Sequence, residues 1–263
     1  MRRDAKNIVI EYFDNLAPNY FDKNYVNIGR EYPVLYFRHK YILTMLDDQT
    51  SGRAIDLGCG SGAMLVDLFK RGYEVLGADI SSQMIASAKA FFGKSTRQRC
   101  PLFVADIEHL PFADNSFDLI VCAGLIEYLE EDEDALREIA RVLSADGEAF
   151  ISVTNILTPF WIFLAVLMLS GVWRRFRLLQ GFKQYPRKVR LHFPRVLRSK
   201  LSRLGLVMVN EAYFHFSPLP FPLNQWFADF STRVGIRMEV LSKTPMGFLG
   251  RGYILKVAKR LAC

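Results

Sequence analysis

Three acids and three glycines stand at intervals that suit a nucleoside-bearing ligand. In "AIDLGCGSG" (54–62) an apolar run carrying Asp56 meets Gly58, Gly60 and Gly62. Glycines let a backbone approach a ligand closely and tolerate positive φ. The helix that follows opens with N–H groups that lack intrahelical partners. Asp79 closes the next apolar run, about 20 residues on, where a carboxylate can bind ribose hydroxyls. Asp106 closes the third run, where it can accept from an adenine amine. "GCGSGA" also satisfies the loose dinucleotide pattern. Asp56 argues against that ligand: a carboxylate just before the glycines repels a pyrophosphate and suits the ammonium of a cationic or zwitterionic one.

A second set of residues could move a proton. Glu127 and Tyr128 lie in "GLIEYL", just past the fourth apolar run, and His192 lies in "RLHFP". A base is needed only for a weakly nucleophilic acceptor. Arginines flanking His192 favour its neutral form. His39, His109 and His215 stand outside any such pattern. Cys59, Cys100, Cys122 and Cys263 have no CxxC spacing and no histidine cluster. That disfavours a zinc site or a disulfide framework and fits a reducing compartment.

The elements that must hold these residues alternate. Residues 4–48 read as helical, with breaks at Pro18 and Pro33. Buried-strand runs follow at 53–57, 74–79, 101–106, 117–124 and 147–155, with late strands at 205–216 and 252–260. Helices fall between them: "AMLVDLFKRGY" stops at Gly72, "SSQMIASAKAFF" is capped by Ser81 or Ser82, and "EEDEDALREIARVL" carries acids in its first turn. This alternation implies an α/β fold, a mostly parallel sheet with helices on both faces. At 263 residues the chain reads as one domain. Residues 1–48 form an N-terminal helical lid, 53–155 the core, and 156–190 and 217–248 hydrophobic insertions.

Charge divides the chain. Residues 1–150 hold 16 Lys and Arg against 24 Asp and Glu, whereas 151–263 hold 18 against 3. No acid lies between Glu148 and Glu211. The basic half therefore faces something anionic. Residues 160–173, "FWIFLAVLMLSGVW", form an apolar run that would reach about 21 Å as a helix, short of the ~30 Å bilayer core. An Arg- and Lys-rich, aromatic band follows, as in an interfacial element. An anionic membrane surface met through 156–203 and 217–248 is the favoured partner. Burial in a core or homodimer face is the alternative. Nucleic acid is disfavoured because its grooves do not need long apolar runs. The N-terminus, with acids and no long apolar core, does not read as a secretory signal.

In order, "AIDLGCGSG", "GADIS" with Met84 beyond it, "VADIEHLPFADNSFDLIVC" and "LREIARVLSADGEAFIS" resemble the successive motifs of class I S-adenosylmethionine-dependent methyltransferases. The likeness covers about residues 10–155 and is strongest to the branch with the ubiquinone and menaquinone enzymes. It implies a Rossmann-like, seven-stranded sheet whose last strand is antiparallel. It implies that Asp56 and the glycines hold the methionine part of S-adenosylmethionine and Asp79 the ribose. Ile80 and Met84 would pack on adenine, Asp106 and Ile107 would fix its edge, and Cys122 would line the methionine side. "YFDNLAPNYFD" resembles a lid segment that places Tyr20 near the cofactor. The expectation is O- or C-methylation of a hydrophobic, lipid-like acceptor (quinone, polyprenyl or glycolipid) by a cytoplasmic enzyme held at the membrane face. A soluble methyltransferase for a hydrophobic metabolite, a nicotinamide oxidoreductase and a non-catalytic cofactor-binding protein are the alternatives.

Overall fold

The computed structural model describes residues 2–26, 32–46, 51–158, 190–219 and 223–260. The strands are β1 (Arg53–Leu57), β2 (Glu74–Asp79), β3 (Leu102–Val104), β4 (Phe117–Ala123), β5 (Leu143–Thr154), β6 (Leu206–Phe214) and β7 (Gly252–Lys259). They form one sheet in the order β3-β2-β1-β4-β5-β7-β6. β1 to β5 run parallel. β7 runs antiparallel, as the resemblance implied, and lies between β5 and β6.

Both faces of the sheet are buried, and the strands show why. Along β1, Ala54 enters the core on one face and Ile55 the core on the other. Along β4, Leu119 and Val121 face one way and Ile120 and Cys122 the other. Side chains alternate with a period of two, so a strand buried on both faces must be apolar throughout. The covering helices are α3 (Ala63–Lys70), α4 (Ser82–Thr96), α5 (Glu133–Val142) and α6 (Pro194–Arg203). Ser81 caps α4 by accepting from the Met84 N–H at 3.0 Å.

The N-terminal segment departs from its expected breaks at one point. α1 (Arg2–Phe21) runs straight through Pro18. It gives way afterwards to a π-helical turn, Asp22–Val26. A proline inside a helix removes a hydrogen bond, and a wider turn is one way of absorbing the irregularity. The Asn24 side chain donates to the Tyr20 carbonyl at 2.7 Å and so satisfies an acceptor there. Pro33 does act as a boundary: α2 (Val34–Met45) starts directly after it.

Beyond β6 the chain forms α7 (Leu223–Trp226), α8 (Ala228–Met238) and two 3₁₀ turns, Glu239–Leu241 and Pro245–Leu249. The buried Asn155 side chain ties this unit to the end of β5 by donating to the carbonyls of Phe248 (3.0 Å) and Gly250 (2.9 Å). The apolar run 160–173 and most of the basic band lie outside the described residues. Among the described residues, no helix is long and apolar enough to cross a membrane.

Candidate functional site

The turn after β1 is held by the end of β2. The Gly58 and Cys59 N–H groups donate to the Ala78 carbonyl at 2.7 and 3.1 Å. The Gly60 N–H donates to Asp79 Oδ2 and the Ser81 N–H to Asp79 Oδ1, both at 2.9 Å. Gly58, Gly60 and Gly62 have φ of 72°, 51° and 84°. A side chain is strained at such angles, and at Gly58 a Cβ would also lie 2.4 Å from the Leu125 side chain.

A cleft opens above this turn, with about 440 Å³ of free space, part of it open to solvent. Asp56, Gly58 and Gly60 form its floor, and Tyr20, Tyr25, Arg38 and His39 close over it. Asp56 is buried. Burial first, then the Asp79 charge, pushes its carboxyl up to about 8, against the opposing pull of Arg38. A carboxyl held protonated for want of positive charge is suited to a ligand that brings an ammonium group. The Arg38 guanidinium reaches the end of β4: a Cβ on Gly124 would sit 1.9 Å from its Nη1. The Tyr20 ring lies above Gly60, 3.4 Å from where a Cβ would be. Burial raises the pKa of the Tyr20 hydroxyl and keeps it protonated.

The residues expected at the ribose and adenine, Asp79, Ile80, Met84, Asp106 and Ile107, lie at or past the ends of β2 and β3 and at the start of α4, and none of them lines this cleft. Burial raises the pKa of Asp79, although the N–H groups of Ser81, Gly60 and Ile80 stabilise its charge. Each carboxylate oxygen can accept more than one bond, so ribose hydroxyls can still be received. Met84 is fully buried, Ile80 is half-buried and Ile107 is buried. Asp106 accepts from the Glu108 N–H at 3.1 Å and is paired with Lys6 of α1. Lys6 also pairs with Glu108. Asp14 of α1 accepts from the Ser81 hydroxyl at 2.5 Å. The N-terminal helix is thus pinned to the elements expected to hold adenine.

The acid–base candidates gather at the end of β5. Among the described residues, both side-chain bonds of Glu127 go to Oε2, from the Thr154 N–H (2.9 Å) and hydroxyl (2.6 Å). Tyr128 packs edge-on against Phe13 of α1, with centroids 5.2 Å apart. His192 is bound to the same strand end: its N–H donates to the Thr154 carbonyl at 2.9 Å. Its ring Nε2 meets Asp132 Oδ2 at 3.1 Å, so its nearest charge is an acid and not the flanking arginines. Among the described residues, the buried Nδ1 has no partner. Burial opposes ionisation of Asp132, but hydrogen bonds from His192 and Lys200, with the Arg190 charge, outweigh it and lower its pKa. Cys122 lies within β4, fully buried, and its thiol is pushed up to about 12 by burial and then by Asp56.

Sequence reasoning passed over Arg38, Tyr25 and His39. The available signal was the cationic triplet Arg38-His39-Lys40 inside the otherwise apolar "VLYFRHKYILTML". His39 Nε2 pairs with Asp67 Oδ2 of α3 at 2.8 Å. No cluster of His, Cys, Asp and Glu among the described residues could hold a metal ion.

Comparison with known proteins bears on the fold and the family. Residues 55–151 match the family described as "Methyltransferase domain". The chain is 27% identical over 216 residues to a ubiquinone/menaquinone biosynthesis C-methyltransferase of Geotalea uraniireducens, covering 78% of this chain and 89% of that protein. It is 29% identical over 152 residues to a demethylmenaquinone methyltransferase of Lactobacillus johnsonii, covering 56% of this chain and 61% of that protein. Among solved structures it resembles the magnesium protoporphyrin IX methyltransferase of Synechocystis with bound SAH, at TM-score 0.62 and 16% identity, covering 97% of this chain and 99% of that one. At that identity the likeness concerns the fold.

Proposed function

We propose that this chain, a class I S-adenosylmethionine-dependent methyltransferase, methylates a hydrophobic, lipid-like acceptor at an anionic membrane surface. The observation that carries the membrane reading is the surface of the 223–248 unit. Trp226 is 58% exposed, Phe230 59% and Val240 79%, and Phe227, Met246 and Phe248 are exposed beside them in the chain. Arg233, Arg237 and Lys243 are exposed in the same unit. Leu157 and Phe193, near the end of β5, add to the exposed apolar residues. Large exposed apolar side chains interleaved with cations suit the headgroup boundary of a bilayer.

Residues in the cleft and beyond its edge fit the cofactor. Asp56 lacks a full positive partner and would receive the ammonium, and Arg38 across the cleft would receive the carboxylate. Asp79 would take the ribose hydroxyls. Ile80, Met84, Asp106 and Ile107 would bound the adenine. When bound, S-adenosylmethionine supplies an electrophilic methyl group, so the protein's main task is to align the acceptor. Glu127, anchored through Oε2, keeps Oε1 for the proton of a hydroxyl or activated carbon acceptor. Quinone, polyprenyl and glycolipid headgroups all present such atoms. The quinone class is favoured by the similarity to enzymes of ubiquinone and menaquinone biosynthesis.

Flotation of the purified protein with neutral and anionic liposomes, at low and high salt, tests this reading. The expected outcome is flotation with anionic vesicles that weakens as salt rises. Protein that stays at the bottom with every vesicle would redirect the search to soluble hydrophobic metabolites.

A further inference from the structure

We propose that Glu239 is a positioning residue for the cofactor: by gripping Tyr32 and Tyr41 it fixes α2, and so sets Arg38 over the cleft. The inference rests on the cofactor assignment made above and extends it to a residue far from the Gly-rich turn.

The geometry joins two regions that have no sequence proximity. Glu239 opens the 3₁₀ turn after α8 and is buried. Its carboxyl oxygens take up two phenols: Tyr32 donates to Oε1, and Tyr41 donates to Oε2 at 2.8 Å. Tyr41 also donates to the Glu239 carbonyl at 3.2 Å. The His215 N–H donates to Oε1 at 2.9 Å, which ties the same carboxyl to the end of β6. Tyr32 is further stacked on the His215 ring at 4.7 Å. α8 comes close enough for this because residue 235 is glycine. A Cβ there would lie 2.2 Å from the Phe216 carbonyl oxygen and 3.1 Å from the Tyr32 ring.

α2 carries the consequence to the cleft. Leu35, Arg38, His39 and Ile42 line the cleft. Tyr41, one helical turn from Arg38, lies on the adjacent face. A helix this short moves as a body, so losing the grip on Tyr32 and Tyr41 displaces Arg38 from Gly124 and Asp56. Nothing else about Glu239 is explained by the methyl-transfer site: it is a buried acid held by four donors at the border of the 223–248 unit.

Burial also opposes ionisation of this carboxyl. Burial pushes the Glu239 carboxyl up to about 8, although the backbone N–H groups of His215 and Phe216 oppose the shift. His215 is kept neutral by burial and then by the Arg251 charge. Burial also raises the pKa of Tyr41. With a folded pKa above the unfolded one, the contribution of Glu239 is complete below the ordinary carboxylate range and is lost as pH rises through about 8.

The test is calorimetric titration of S-adenosylhomocysteine into the full chain, with melting temperatures recorded for every variant. Glu239→Ala and the double variant Tyr32→Phe/Tyr41→Phe are expected to weaken binding by at least about fivefold, the lower end of ordinary site–site coupling. Glu239→Gln, which keeps a donor and an acceptor but cannot ionise, is expected to restore it. The double variant retains Glu239, so it reports on the grip even if Glu239→Ala does not fold. Normal affinity in both the Glu239→Ala and double variants, with Arg38→Ala binding weakly, would overturn the positioning role and leave the cleft assignment standing. Normal affinity in Arg38→Ala would remove the cleft assignment of Arg38 and this role with it.

Discussion

At Asp56, burial and a neighbouring like charge act in the same direction, and the result is a carboxyl at about 8. In the cofactor-free protein this group adds stability below the ordinary carboxylate range and loses that contribution as pH rises through about 8. An arriving ammonium reverses the preference and favours the ionised form. Cofactor binding at pH 7 should therefore release close to one proton from Asp56. Titration of S-adenosylhomocysteine in buffers of different ionisation enthalpy measures this directly. Asp56→Asn should abolish the proton release and weaken binding by about tenfold to a hundredfold, the usual range for a lost hydrogen bond to a charged group. An unchanged proton count in that variant would remove Asp56 from the ammonium site. Asp56 and Asp79 were legible from spacing alone, because the strand–turn–helix unit is local. Arg38 was not, since its place over Gly124 depends on how α2 packs across the sheet.

Among the elements, α4 shows how one local signal serves two purposes. The Ser81 hydroxyl caps the helix and also donates to Asp14 of α1. Ser81→Ala should cost about 1 kcal/mol for the cap. In a domain of this size that lowers the melting temperature by roughly 2–4 °C, measurable by thermal unfolding. A larger fall would mean that docking of α1 depends on the same hydroxyl. Helix and strand positions were readable because apolar periodicity reports burial. The break expected at Pro18 came four residues late because a helix packed on neighbours keeps its direction past a single lost bond, so tertiary contact decided the boundary.

For the whole molecule the charge division matters most. The sheet and cleft are built largely from the acidic half, and among the described residues most of the exposed large apolar side chains come from the basic half. If the 223–248 unit meets a bilayer, the double variant Trp226→Ala/Phe230→Ala should lose at least about tenfold in vesicle affinity, since one buried aromatic is worth about 1.5–3 kcal/mol. Its affinity for S-adenosylhomocysteine should stay near the wild-type value. Co-sedimentation with anionic vesicles and calorimetry together check both halves of this expectation. Equal vesicle binding by the variant would exclude this surface as the contact.

Read alone, the chain determined the strand–turn–helix order, the identity of the acids at the strand ends and the separation of charge. Each of these follows from neighbours within one or two elements. Only the tertiary structure decided that β7 inserts between β5 and β6 and that Arg38 closes the cleft. It also decided that His192 faces Asp132 and that Glu239 joins α2 to the end of β6. These depend on contacts between elements separated in the chain, such as Tyr41 and Glu239 at 198 positions, where no local spacing records which partner burial will select.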